Sequence, residues 1–175
     1  MPSTREQLPP LIVMGVQGCG KSTAGRAIAL RLGLPFIDGD DLHSVENKQK
    51  MASGQPLDDA DRHPWLTTIG RTLADRLAEN QPTVVACSAL KRRYRDLIRD
   101  LAPDVRFVHL QGDQALIADR LSQRNHEYMP AALLDSQFET LEPLAQDEAG
   151  IRLDITLSPE EIAEAVASAL APAGR

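Results

Sequence analysis

The sequence predicts an α/β fold: a five-stranded parallel sheet covered by helices on both faces. Three observations predict it. Five short apolar runs recur along the chain, helical periodicity fills the intervals, and the first run passes through a glycine-rich turn directly into a helix. Short continuous apolar runs mark strands buried on both faces, and helical crossovers are the usual connection between parallel neighbours.

The strands, in order, are "LIVM" (11–14), "PFID" (35–38), "TVVACS" (83–88), "VRFVHL" (105–110) and "RLDITL" (152–157). After the first, residues 21–32 place Ala24, Ala27, Ile28 and Leu32 on one helical face, and Gly33 supplies the stop. Residues 39–82 are too long for one crossover helix, and "SGQPLDDADRHP" divides them into two helical stretches, which we read as an inserted substrate arm. An arginine-rich helix follows the third strand. After the fourth comes a helix leading into a lid region, 120–130, and then the helical "AALLDSQFETL". The last helix opens at Ser158, with Pro159 first and Glu161 three residues beyond the cap.

A chain of 175 residues, 42% of them hydrophobic, suits a single domain spanning 1–175. A net charge of -6 argues against a nucleic-acid partner, because affinity for the phosphate backbone rests on excess Lys and Arg. No apolar run approaches the ~18 residues of a membrane span, and "MPSTREQLPP" lacks the apolar segment of a secretory signal. The expectation is a cytoplasmic protein with no membrane partner. Cys19 and Cys87 fit neither a disulfide framework nor a zinc site. They read either as small buried residues or as thiols whose oxidation would block the nucleotide site.

"GVQGCGKS", 15–22, fits G-x-x-x-x-G-K-[ST] with a strand before it and a helix after it. A glycine-rich turn that merely joins the two elements is the plainer alternative, and the flanks decide against it. The glycine order also differs from that of dinucleotide sites. Backbone N–H groups from Gly15, Val16, Gln17, Gly18, Cys19 and Gly20 would wrap the phosphates of ATP, with Thr23 at the edge of the site. Lys21 would reach the β and γ phosphates, and the Ser22 hydroxyl would ligate Mg²⁺.

The third strand ends "VVACSAL", without the carboxylate that often holds metal-bound water in this class. Asp38, at the end of the second run, meets the deficit. In "FIDGDDLH", Asp38 would ligate metal water while Asp40 accepts a hydrogen bond from the attacking hydroxyl; Asp41 faces solvent or caps a helix. A purely polar turn is the competing explanation. Downstream, Lys91 and Arg95 share a helical face and could bind one anion, whereas Arg92, Arg93 and Arg99 read as solvated surface. Arg120 and Arg124 lie one turn apart. Arg124 suits the developing charge of phosphoryl transfer, where a closing arginine is worth roughly 10³–10⁵ in rate. Arg120 would stack on adenine or form an exterior ion pair.

Together, "GVQGCGKS", "DGDDLH", "NKQKMASGQPLDDADRHPWL", "CSALKRRYRDLIR" and "SQFETLEPL" resemble bacterial gluconokinases of the small P-loop kinase type. The resemblance implies a three-layer P-loop NTPase sandwich with strand order 2-3-1-4-5 and similarity in fold to shikimate and nucleoside monophosphate kinases. It also implies ATP-dependent phosphorylation of D-gluconate at the 6-hydroxyl, and a homodimer. On that reading Asp40, His43, Asn47 and Ser88 serve the polyol, while Lys50, Arg62, Lys91 and Arg95 are candidates for the carboxylate. The lid departs from the family's "GHFMP", reading "HEYMP", which moves the histidine to His126, a phosphate or substrate contact, and puts Glu127 in its usual place. Ser44 replaces a common proline, a change expected to loosen the entry to the arm. Trp65 and Tyr94 read as core or pocket wall, and Met51 as packing within the arm. Two rivals stand beside this reading: a nucleotide-dependent binding module without an acceptor, and a kinase of another small acid or a nucleoside monophosphate.

Overall fold

The computed structural model describes residues 7–123 and 131–171. Five strands, β1 (Leu11–Met14), β2 (Phe36–Asp38), β3 (Val84–Ala86), β4 (Arg106–Gln111) and β5 (Gly150–Asp154), form one sheet in the order β2-β3-β1-β4-β5. Every pairing is parallel. The helices are α1 (Lys21–Leu32), α2 (Val45–Ala52), α3 (Asp59–Ala78), α4 (Arg92–Leu101), α5 (Gln114–Ser122), α6 (Ala131–Thr140) and α7 (Pro159–Leu170). The topology is the one the family resemblance implies.

The pleat of β1 explains the layering. Alternate side chains point to opposite faces of a strand. Leu11 and Val13 join Ile28, Val108 and Leu110 in a core shared with α1 and α7, while Ile12 and Met14 join Ile69, Leu73, Ile98 and Phe107 in a core shared with α3 and α4. All four residues of β1 are buried, so the strand reads as continuously apolar.

Helix ends follow local chemistry. Gly33 closes α1 in the left-handed conformation, φ 69°, with its N–H returned to the carbonyls of Ala29 and Leu30. Ser158 and Glu161 form the reciprocal cap that opens α7. Ser44 has a structural role as the cap of α2: its hydroxyl accepts the Asn47 N–H at 3.1 Å. Helix α3 begins inside the stretch expected to be loop, because Asp58 and Asp61 cap each other at 2.7 and 3.0 Å. Met51, expected to pack, is 40% exposed on α2.

One expectation is overturned outright. Arg95 was paired with Lys91 as a substrate cation, yet its side chain is 0% exposed and donates to both oxygens of Glu148, at 2.7 and 2.9 Å. Its remaining nitrogen donates to the Ala89 carbonyl at 2.9 Å. Helical spacing misled because Lys91 is the extended cap residue of α4, outside the helical geometry that would align it with Arg95. Arg99, expected to be solvated, also donates to Glu148 at 2.7 Å. Burial alone would raise the Glu148 pKa. Hydrogen bonds from Arg95, the Ala145 N–H and Arg99 outweigh it and bring the carboxyl down to about 2.

Removing one partner of a buried pair strands the other charge, so Glu148→Ala should cost roughly 3–5 kcal/mol in urea unfolding. The double change Arg95→Met, Glu148→Leu should recover much of that loss. In wild type, the stabilisation from Glu148 is complete above its ordinary value of 4.5 and is lost as pH falls toward about 2.

Candidate active site

The cradle lies at the carboxyl end of β1, the usual position for ligands in an open α/β sheet. Gly15, Gly18 and Gly20 all have positive φ, at 150°, 84° and 92°. A Cβ at Gly15 would meet the Cys19 sulfur at 2.6 Å and the Leu110 carbonyl at 2.9 Å, so the loop closes only around bare backbone. Gly20 is the left-handed cap that turns the loop into α1. Lys21 folds back, its ammonium donating to the Val16 carbonyl at 3.1 Å. The Gly15 N–H donates to the Ser88 carbonyl at 3.3 Å, which ties the cradle to the loop after β3. Thr23 is exposed on the first turn of α1. The Gln17 N–H donates to the side-chain carbonyl of Gln137 on α6 at 2.7 Å, a partner that sequence reasoning missed although it lies within "SQFETLEPL".

Asp38 links the cradle to the acidic turn. One oxygen accepts from the Ser22 hydroxyl at 3.4 Å and the other from the Asp40 N–H at 3.0 Å. Residues Gly39–Leu42 form a 3-10 turn that Asp38 caps, and both Asp40 and Asp41 are exposed on it. His43 is buried and stacked on Trp65, with ring centroids 4.0 Å apart. Burial, then the charges of Arg62 and Lys48, lowers its pKa to about 4. The Asn47 amide donates to His43 Nδ1 at 3.3 Å and to the Asp61 carbonyl at 2.8 Å. Nδ1 is therefore the acceptor and Nε2 carries the proton, while both hydrogens of Asn47 are spent within the arm and only its oxygen is left for a ligand.

The cation candidates separate by their partners. Lys50 is held by Asp61 at 2.6 Å, and Lys91 by Asp59 at 3.4 Å. Asp59 also accepts from Arg93 and from the Tyr94 hydroxyl, contacts that lower its pKa with the tyrosine hydrogen bond foremost. Arg62 donates to the Tyr94 hydroxyl at 3.2 Å and lies over that ring; among the described residues it has no ion pair. Tyr94 is buried in the core shared with α3 and α4, and its hydroxyl and ring are also the hub of the cationic wall. Arg120 donates to the Ile155 carbonyl at 2.9 Å, beside the end of β5. Arg124, His126 and Glu127 lie outside the described residues.

Cys87, just beyond β3, is buried, and burial pushes its thiol up to about 12. Burial raises the Cys19 thiol as well. Both sulfurs are buried, which favours the protonated thiol.

A family described as an AAA domain matches residues 11–144. The gluconokinase of Gluconobacter oxydans is 44% identical over 154 residues, covering 88% of this chain and 86% of that protein. The chain belongs to the gluconokinase family. A solved gluconokinase from Sinorhizobium meliloti superposes with a TM-score of 0.85 at 44% identity, covering 95% of this chain and 93% of its own. Shikimate kinase from Aquifex aeolicus, 13% identical with a TM-score of 0.59, shares the fold alone and covers 92% of this chain and 95% of its own. Membership of this P-loop kinase family carries with it the use of ATP and, typically, a divalent metal. The cradle suits both, since the loop closes around bare backbone at Gly15 and Ser22 with Asp38 offers hard oxygen donors at its edge.

The histidine gives a direct test of this electrostatic picture. In an NMR titration, His43 should stay neutral from pH 8 to 5 and protonate near 4. Its folded pKa lies below the ordinary 6.5, so its contribution to stability is present above 6.5 and falls away as pH drops toward 4. A midpoint at the ordinary value would contradict the buried stack.

Proposed function

We propose that this chain is a gluconokinase that transfers the γ-phosphoryl group of ATP to the 6-hydroxyl of D-gluconate, feeding the catabolism of a sugar acid. The observation that carries the reading is the link between the phosphate cradle and the acidic turn, where Asp38 accepts from Ser22, next to Lys21, and from the N–H of Asp40. A phosphate-binding lysine, an acceptor for a hydroxyl proton and a cation for an acid end are the three groups that a polyol carboxylate requires in one cleft.

Each side chain then has a role. The N–H groups of the cradle and Lys21 hold the β and γ phosphates. Asp40 orients the attacking hydroxyl and takes its proton as the P–O bond forms. His43, neutral with its proton on Nε2, donates to a second hydroxyl, and the oxygen of Asn47 and Ser88 complete the polyol contacts. Of the four carboxylate candidates we favour Arg62, because Lys50 and Lys91 are already neutralised by aspartates and Arg95 is sealed in the core. Arg120 lies against adenine, and Arg124 and His126 meet the transferring group from the lid region. Mg²⁺, held by Ser22 and through water by Asp38, would neutralise charge on the phosphate oxygens. The arm is residues 39–82 of a single domain, and the family resemblance supports a cytoplasmic homodimer, which light scattering on the purified protein would test.

The deciding assay measures ADP release with Mg²⁺ and ATP against D-gluconate, shikimate, AMP, glycerate and no acceptor. Release should be strong with gluconate alone; release that ignores every acceptor would point to an ATPase or binding module. Lys21→Ala should abolish turnover and leave cooperative unfolding intact. Asp40→Asn should lower kcat far more than it weakens ATP binding, and an unchanged rate would remove Asp40 from the chemistry.

A further inference from the structure

We propose that Trp65 is a positioning residue for phosphoryl transfer: its ring N–H holds the Gly39 carbonyl and so fixes the turn that carries Asp38 and Asp40. The inference rests on the function proposed above. Trp65 is buried on α3, and its Nε1–H donates to Gly39 at 2.8 Å. Gly39 is itself buried, and a Cβ there would meet the Ala86 carbonyl at 2.4 Å. The Gly39 peptide is therefore clamped between the end of β3 and the indole.

The placement of Asp38 and Asp40 follows from that peptide. The next residue is Asp40, whose N–H is held by Asp38, and Asp38 in turn accepts from Ser22 beside the cradle. At the far end of the same turn, His43 stacks on the indole at an interplanar angle of 17°. One side chain from the arm thus grips the turn at both ends, by its N–H and by its ring face. Loss of the N–H alone removes the one donor that holds the Gly39 carbonyl from outside its own 3-10 turn, and rotation of that peptide carries Asp40 with it. Misplacement of a reacting group by about 1 Å costs on the order of 10²-fold in rate.

Packing and positioning can be told apart because Trp65 is the only tryptophan in the chain. Growth of a tryptophan auxotroph on the benzothienyl analogue, in which sulfur replaces the ring N–H, changes this one group and keeps the ring. With gluconate as acceptor, kcat should fall about tenfold or more. The KM for ATP should stay within about twofold. The 7-aza analogue, which retains the N–H, should keep the wild-type kcat. A sulfur-substituted enzyme with wild-type kcat overturns the proposal. So does a fall in kcat matched by an equal rise in the KM for ATP, which marks a general scaffold role. Wild-type protein run in parallel separates the two levels: if it transfers nothing to gluconate, the functional reading itself is what fails.

Discussion

The chemistry of this molecule depends on one constraint, the burial of a four-residue strand on both faces. β1 lies between β3 and β4, and its side chains divide between the two cores. A strand buried in this way cannot drift in register, because a slip of one residue would exchange the two cores. The glycine loop that leaves its carboxyl end therefore starts from a fixed point. The same holds for the loop after β3, which contributes the Ser88 carbonyl to the first amide of the cradle.

Much of this could be read in advance, and for physical reasons. The strands are short, apolar runs because a parallel sheet offers them no solvent face, and the loop, α1 and its stop carry residues whose backbone requirements are nearly unique. What escaped the sequence was partnership at a distance. Nothing in "LAQDEAGI" marks Glu148 as the counter-charge of Arg95, since the pair is joined only when the segment before β5 folds over α4. Asp58, Asp59 and Asp61 looked like loop acids, yet Asp58 and Asp61 cap a helix, while Asp59 and Asp61 neutralise Lys91 and Lys50. Charge patterns in sequence show where cations are, and tertiary contacts decide which of them retain free charge to offer a ligand.

That distinction organises the cleft. Arg95 and Arg99 converge on a single buried carboxylate and act as a rivet between α4 and the segment leading to β5. Tyr94, between them and the arm, collects Arg62, Lys91 and Arg93 around its ring. The helix thus turns one face to the core as structural ion pair and leaves its first turn to the cleft. Lys91, Arg92, Arg93 and Arg95 each pair with a carboxylate, whereas Arg62, on α3, has no ion pair among the described residues.

The contact between the Gln17 amide and Gln137 bears on how the protein comes into being. The two residues are 120 positions apart, so a donor in the first loop to leave the ribosome finds its partner only after most of the chain has been made. Local elements such as α1 can form early, whereas the cradle reaches its final hydrogen-bonded state only once α6 has docked. A chain truncated before α6 would hold the full glycine motif without the Gln17–Gln137 bond that ties it to the rest of the fold.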